Sequence, residues 1–439
     1  MIFLWDWVKK VFQNWIKRLF QRGPWPVISF PKSGFETIEQ SQPIEEEALN
    51  GSPLESYYPV DIGDVYASRW QVVGKLGYGC LSTVWLARDL IGRTFVSMKF
   101  YTNDKYSGHE WDIIMELMQP SIHPGSLRVR NALARFDLTG PAGHHICIVQ
   151  PPLWNSLNDV CETLIDGNVI SVTVMKSITL QLLFALDYLH SERQLVHTDI
   201  KPDNIMQKVY DDSIFENFVE AELQNPSARK TVGGKVIYTS RRFETPKYFD
   251  ATILCDFGTT LKGDVPRNHD IQPPIYRSPE ATLHVNWSYP TDIWNLGVMI
   301  WHLFECQTLF TGRTGETDEY SARGHLGEII GLLGPPPNDL LQQGDRSSEF
   351  FDKDGQCAIA QETRHFRESL TEFVGNWTVD DVEIKERTFE DLERRLSGED
   401  KEQFLSFIKS MITWRQEDRK TARELISDPW VQEILESYA

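Results

Sequence analysis

Six cysteines are few for 439 residues, and Cys80, Cys147, Cys161, Cys255, Cys306 and Cys357 stand apart, with no C-x-x-C pair and no histidine at metal spacing. That scatter excludes a zinc site and a disulfide framework, and it predicts a reducing compartment. Long apolar runs are missing as well: no stretch reaches the ~18 to 20 apolar residues of a transmembrane helix. Positive charge is short, with 44 Lys and Arg against 63 Asp and Glu and a net charge of −19. This argues against direct, non-specific nucleic-acid binding; it suits a basic partner, although acidity for solubility alone explains it equally well. What is present, 41% hydrophobic and 12% aromatic residues, is the composition of a globular chain with one large core or two smaller ones.

The charge is uneven. Residues 1–35 carry Lys9, Lys10, Lys17, Arg18, Arg22 and Lys32 against Asp6, a balance of +5; residues 36–64 carry eight acids and no base, leaving −16 from residue 65 onward. In "MIFLWDWVKKVFQNWIKRLFQRGPWP", Leu4, Val8, Val11, Trp15 and Leu19 recur at helical spacing until Gly23-Pro24 closes the run. Two readings are open: an interfacial or organelle-targeting helix making membrane-surface contact through residues 1–22, or a helix packed on the protein's own body. Residues 36–66, acidic and marked by Pro43, Gly51, Pro53 and Pro59, read as a linker that packs only in part.

Chemistry starts at "VVGKLGYGCLSTVWLARD", two strands joined by a glycine-rich turn in which Gly77 and Gly79 let backbone N–H groups approach phosphate oxygens. On its own the pattern fits a plain hairpin better. In "TFVSMKF", Lys99 lies in an apolar strand and needs a carboxylate or a phosphate. Glu110 of the amphipathic "EWDIIMELM" is the expected carboxylate and Glu116 the alternative. The stretch "QLVHTDIKPDN" then gathers polar groups that share no helical face, with Pro202 breaking any helix. Asp199 there can accept a proton from an attacking hydroxyl, Lys201 can neutralise a transferring phosphoryl group, and Asn204 can ligate magnesium. Asp256 of "ILCDFGTT" supplies a second hard oxygen ligand.

With "YYPVDIG", "KLGYGCLSTVWLARD", "VHTDIKPDNI", "CDFGTT", "DIQPPIYRSPE" and "WSYPTDIWNLGVMIW" in order over residues 70–434, the chain resembles a eukaryotic Ser/Thr protein kinase. Its nearest likeness is to the SR-protein kinase group and the single-domain fungal kinases related to it. The resemblance implies an α+β, bilobal protein-kinase fold, with a small β-rich N-lobe at 67–153 and a larger helical C-lobe at 154–439. It implies Mg2+ and ATP, with Gly77, Gly79 and Val84 covering the nucleotide, Lys99 and Glu110 as an ion pair, and Leu153 as the hinge donor after "HHICIVQPP". Asp199 would be the catalytic base assisted by Lys201, Asn204 and Asp256 would hold the metal, Glu280 would pair with Arg419, and Asp292 would brace the loop around Asp199. The implied substrate is a basic, Arg/Ser-rich protein linked to mRNA splicing, met by a monomer in cytoplasm and nucleus. A nucleotide-binding scaffold with little phosphotransfer is the alternative.

Departures from the resemblance carry expectations of their own. Thr198 replaces the arginine that in many kinases grips a phosphorylated segment, so activity should not depend on such a phosphate. Pro273 stands where a threonine would orient Asp199 and Lys201, and Gln150 is a polar residue at the back of the nucleotide site. Between Asn204 and Asp256 lie 51 residues, whose extra segment, at about 207–251, reads as an acidic helix, a basic turn and a hairpin inserted in the C-lobe.

Overall fold

A computed structural model describes residues 23–49, 53–103, 108–163, 170–209, 211–245, 249–313, 319–351 and 384–436. The helix expected in residues 1–22 lies outside these. The chain forms two compact units, one holding the described residues of Met1–Met115, Asn131–Trp154 and Lys208–Asp250, the other those of Glu116–Arg130, Asn155–Gln207 and Ala251–Ala439.

The first unit is built on a six-stranded antiparallel sheet ordered β1-β2-β3-β4-β6-β5. Its strands are β1 (Val65–Tyr66), β2 (Trp70–Gly79), β3 (Ser82–Asp89), β4 (Thr94–Tyr101), β5 (Ala134–Gly140) and β6 (Gly143–Gln150), with helix α1 (His109–Leu117) between β4 and β5. Alternation along β2 to β4 sends Val72, Trp85, Val96, Met98 and Phe100 into one core with Cys147 and Val149. The pairings Gly77 with Val84, Val84 with Lys99 and Lys99 with Ile148 set these four residues in one row. Residues directly opposite in a ladder share a face, so the row carries the turn glycine and the strand lysine on the same side.

The expected insertion at about 207–251 requires correction: it does not pack within the helical lobe but belongs to the sheet unit. Helix Ser213–Gln224 lays Phe215 against Phe95 and Phe218 against Gly74, where an added Cβ would stand 2.8 Å from the Phe218 ring. The hairpin Arg229–Val232 with Lys235–Tyr238 turns at Gly233 and Gly234, both at positive φ as a tight two-residue turn requires. Its Tyr238 packs edge-on to Trp85, 5.6 Å between ring centres.

The linker is likewise more ordered than its acidity predicts. Glu46 is buried and pairs with the Lys75 ammonium, which is wholly enclosed and also donates to the Tyr238 carbonyl at 3.2 Å. Glu47 meets the buried Lys230 of the hairpin at 2.5 Å, and Glu45 accepts from Ser240 N at 2.9 Å. Linker acids thus neutralise a β2 lysine and an insertion lysine; either set alone would leave charges stranded out of water.

The second unit is helical. Helix Pro290–Glu305 buries 13 of its 16 residues, the all-round burial of a central helix. Around its Trp294, Trp301 and Phe304 pack Phe310, Phe404 and Phe389. The segment Val172–Arg193 has the length and mean hydropathy of a membrane span, yet 67% of its most apolar window is buried within the protein. That burial makes it a core helix.

Candidate active site

The expected site residues divide between the two units: Gly77, Gly79, Val84, Lys99, Glu110 and Leu153 in the first, Asp199, Lys201, Asn204 and Asp256 in the second.

On helix α1, Glu110, Ile113, Ile114 and Leu117 fall at helical spacing on one buried stripe. A carboxylate on an apolar stripe must be paired, and Glu110 Oε2 lies 2.7 Å from Lys99 Nζ while accepting from the Tyr101 hydroxyl. Glu116, off that stripe and itself counted in the second unit, instead pairs with Lys262 of that same unit. At Gly77 and Gly79 an added Cβ would meet nothing within 4 Å, so the turn glycines face open space rather than packing. Val84 is half-buried beside them in the row, and Leu153 is buried three residues beyond the end of β6. Gln150 is buried, and its backbone carbonyl accepts from Ser97 Oγ at 3.4 Å.

In the second unit, residues 197–204 are suspended from helix Pro290–Glu305. Asp292 and Asn295, one turn apart on one face, accept the otherwise orphaned N–H groups of the loop: His197 N to Asp292 Oδ2 at 2.7 Å, Thr198 N to Oδ1 at 2.9 Å, and Ile200 N to Asn295 Oδ1 at 3.0 Å. His190 Nε2 donates to the same Asp292 carboxylate at 3.0 Å. Buried His197 accepts from Asp199 N at Nδ1 (3.2 Å) and donates from Nε2 to the Cys255 carbonyl (3.1 Å), which fixes its neutral tautomer.

The result is a converging set of side chains. Lys201 Nζ lies 2.9 and 3.2 Å from the Asp199 oxygens, and Asn204 Nδ2 donates to Asp199 Oδ2 and to its carbonyl, both at 2.8 Å. Burial works against the Lys201 charge, but Asp199, with Asp256 and Asp203, outweighs it and raises the lysine above its ordinary value. Asp256 is tied in through the backbone, since Cys255 N donates to the Asn204 carbonyl at 2.9 Å. Thr198 and Asp256 both hold φ near +65°, at +69° and +64°, a strained region for residues with a Cβ that persists where surrounding contacts over-determine it.

Further side chains brace the site from outside the Asp199–Lys201–Asn204 set. Thr198 Oγ1 donates to the Thr259 carbonyl at 2.9 Å, so the residue in the usual arginine position ties residues 256–262 directly. Gln272, at φ +71°, donates from Nε2 to Thr291 O and accepts Ser278 N at Oε1, both at 2.8 Å. Beside it Pro273 caps the short turn Pro274–Tyr276 and offers no hydroxyl. Glu280 and Arg419 form a doubly hydrogen-bonded pair at 2.6 and 2.8 Å with neither side chain exposed.

The donor set fits a magnesium nucleotide. Among the described residues no three His, Cys, Asp or Glu cluster as a protein-only metal cage. Mg2+ characteristically takes one or two protein oxygens and completes its shell with phosphates and water, and Asn204 and Asp256 offer such oxygens.

Residues 70–431 match the protein kinase domain. A serine/threonine protein kinase of Aspergillus fumigatus is 36% identical over 422 residues, covering 95% of this chain and 98% of its own. The serine/threonine-protein kinase SRPK of Physarum polycephalum is 28% identical over 415 residues (89% and 92%), and protein kinase dsk1 of Schizosaccharomyces pombe 24% over 501 (92% and 88%).

Proposed function

This chain belongs to the protein kinase family and is a serine/threonine kinase, and from that premise we propose that it transfers the γ-phosphate of Mg-ATP to serine in basic, Arg/Ser-rich proteins that act in mRNA splicing. The observation that carries the chemistry is the Asp199 carboxylate, held by Lys201 and Asn204 in a loop fixed to Asp292. Asp199 accepts the proton of the serine hydroxyl as its oxygen forms a bond to the γ-phosphorus and the bond to the ADP oxygen breaks. Lys201, kept charged by its acidic neighbours, neutralises the transferring group. Lys99, oriented by Glu110, binds the α and β phosphates, and the turn at Gly77 and Gly79 presents backbone N–H groups to them. Asn204 and Asp256 would hold Mg2+, which supplies neutralisation of phosphate charge when bound.

The choice of a basic substrate is supported by the −16 balance from residue 65 onward, which attracts basic peptides over about a Debye length, and by the similarity to a kinase named SRPK. A cytoplasmic and nuclear location follows from that substrate class, and residues 1–22 are proposed to touch a membrane surface; no liposome binding by the intact chain would end the latter idea. The test of function is phosphate transfer from Mg-ATP to an Arg-Ser repeat peptide, beside proline-directed and acidic controls, for the protein and its Asp199→Asn variant. Transfer selective for the Arg-Ser peptide and lost in the variant is expected. Transfer to a control alone removes the splicing link, and nucleotide binding without transfer to any peptide overturns the enzymatic reading.

A further inference from the structure

The tip of the β2–β3 turn is held from behind by a residue of the acidic linker. The Tyr57 hydroxyl donates to the carbonyls of both Gly79 and Cys80, at 2.9 and 3.0 Å. Each peptide unit is planar and trans, so its C=O and N–H point in opposite directions. With the 79 and 80 carbonyls gathered on Tyr57, the N–H groups of Cys80 and Leu81 are turned away from it. Two successive amides facing the same way make an anion-binding concavity. On the other side of the tip the Leu81 carbonyl accepts Thr102 N at 2.9 Å, and Gly77 and Gly79 leave open space.

Tyr57 is in turn held by the inserted hairpin. Lys235 Nζ donates to the carbonyls of Leu54, Glu55 and Tyr57 at 3.3, 2.9 and 3.1 Å, closing the end of the short turn Leu54–Ser56 that leads into Tyr57. The hairpin's own seat is fixed by Tyr238, whose hydroxyl donates to Asp61 at 2.9 Å, and by Lys230 against Glu47. Tyr57 is buried, and that burial, with Cys80 and Glu46 nearby, pushes its phenol up to about 12, so it remains a donor across the working pH range.

We propose that Tyr57 is a positioning residue for phosphate binding: it aims the Cys80 and Leu81 amides at the nucleotide phosphates, and Lys235 of the insertion keeps it in place. This rests on the kinase reading and adds a role for the insertion to it. The test compares the full chain with Tyr57→Phe, Lys235→Met and the double variant, measuring KM for Mg-ATP, KM for an Arg-Ser peptide, kcat, the Kd of Mg-ADP by calorimetry, and the thermal midpoint. Tyr57→Phe removes only the hydroxyl. Losing a hydrogen bond of this kind is expected to raise KM for Mg-ATP and Kd for Mg-ADP about fivefold, with peptide KM and kcat within about twofold. Lys235→Met should shift the same two constants in the same direction, and the double variant should not exceed Tyr57→Phe, because both act through one tether. A lowered thermal midpoint with unchanged nucleotide constants would assign Tyr57 to stability alone and overturn the proposal. Multiplying effects in the double variant would overturn the role of Lys235. Failure of the parent protein to transfer phosphate while Mg-ADP still binds would count against the kinase reading, leaving the Kd comparison to decide on Tyr57.

Discussion

Replacing Asp292 by asparagine asks whether the loop carrying Asp199 depends on one buried carboxylate. Asp292 is wholly enclosed and accepts His197 N and His190 Nε2 on Oδ2 and Thr198 N on Oδ1. Asparagine keeps one acceptor oxygen and sets its NH2 against a donor on the other side. In the milder arrangement only the Thr198 bond is lost: a hydrogen bond to a charged group contributes about 1.5–3 kcal/mol, and leaving a buried N–H unsatisfied costs about 1–3 kcal/mol. The combined effect is about 2.5–6 kcal/mol on the loop. Thr198 holds φ +69°, a strain of about 1–3 kcal/mol that this bond and the one to Thr259 maintain. Once released, Thr198 relaxes and moves its neighbour Asp199, and a displacement of about 1 Å in a reacting group costs about 100-fold in rate. Steady-state kinetics on an Arg-Ser peptide should therefore show kcat reduced about 100-fold, with KM for Mg-ATP within about threefold since Lys99 and the glycine turn are untouched. Thr198→Gly is the control: glycine adopts positive φ without steric penalty, so kcat should stay within about threefold. An Asp292→Asn enzyme with kcat within threefold of the parent would refute this reasoning, as would a Thr198→Gly enzyme as slow as Asp292→Asn.

Arg419→Met leaves Glu280 buried without its partner and should cost about 3–5 kcal/mol in urea unfolding, whereas Glu280→Leu combined with Arg419→Met should recover most of it; equal loss in both variants would contradict a paired-charge origin. Burial lowers His325 from its usual value to about 4, with the ring donating from Nε2 to the Arg277 carbonyl. The neutral form is favoured on folding, so this contribution is present above pH 6.5 and is lost as pH falls toward 4; at about 1.4 kcal/mol per pKa unit it amounts to about 3 kcal/mol. His325→Phe should flatten the stability profile between those pH values, and an unchanged slope would dismiss the assignment. Glu110→Gln should lower kcat/KM for Mg-ATP about tenfold or more through the lost charged partner of Lys99, while Glu116→Gln, whose partner is Lys262, should leave it within about twofold.

Much of the second-unit site was legible because its groups lie within eight residues of one another, and a proline in the midst of polar residues excludes a helix there. Glu110 was legible for a different reason: the 3.6-residue period of α1 puts it, and not Glu116, on the buried stripe with Ile113, Ile114 and Leu117. The linker was expected to pack only in part, and its composition did not show with which partners. Eight acids without a base suggest solvation, yet Glu46 and Glu47 find buried lysines 29 and 183 positions away. Gln272 and Thr259 escaped notice because side chains that bind backbone carry no spacing signal.

By itself the sequence determined which polar groups stand together at the candidate site: Asp199, Lys201 and Asn204 fall in one local run, and local order survives folding. It also determined the strand and helix periods, since these are properties of neighbouring residues. Only the tertiary structure decided to which unit residues 208–250 belong and that their Lys235 reaches back 178 positions to Tyr57. Such contacts are made by enclosed charges seeking whichever partner the fold brings near, and the distance along the chain leaves no trace in either segment of which partner that is.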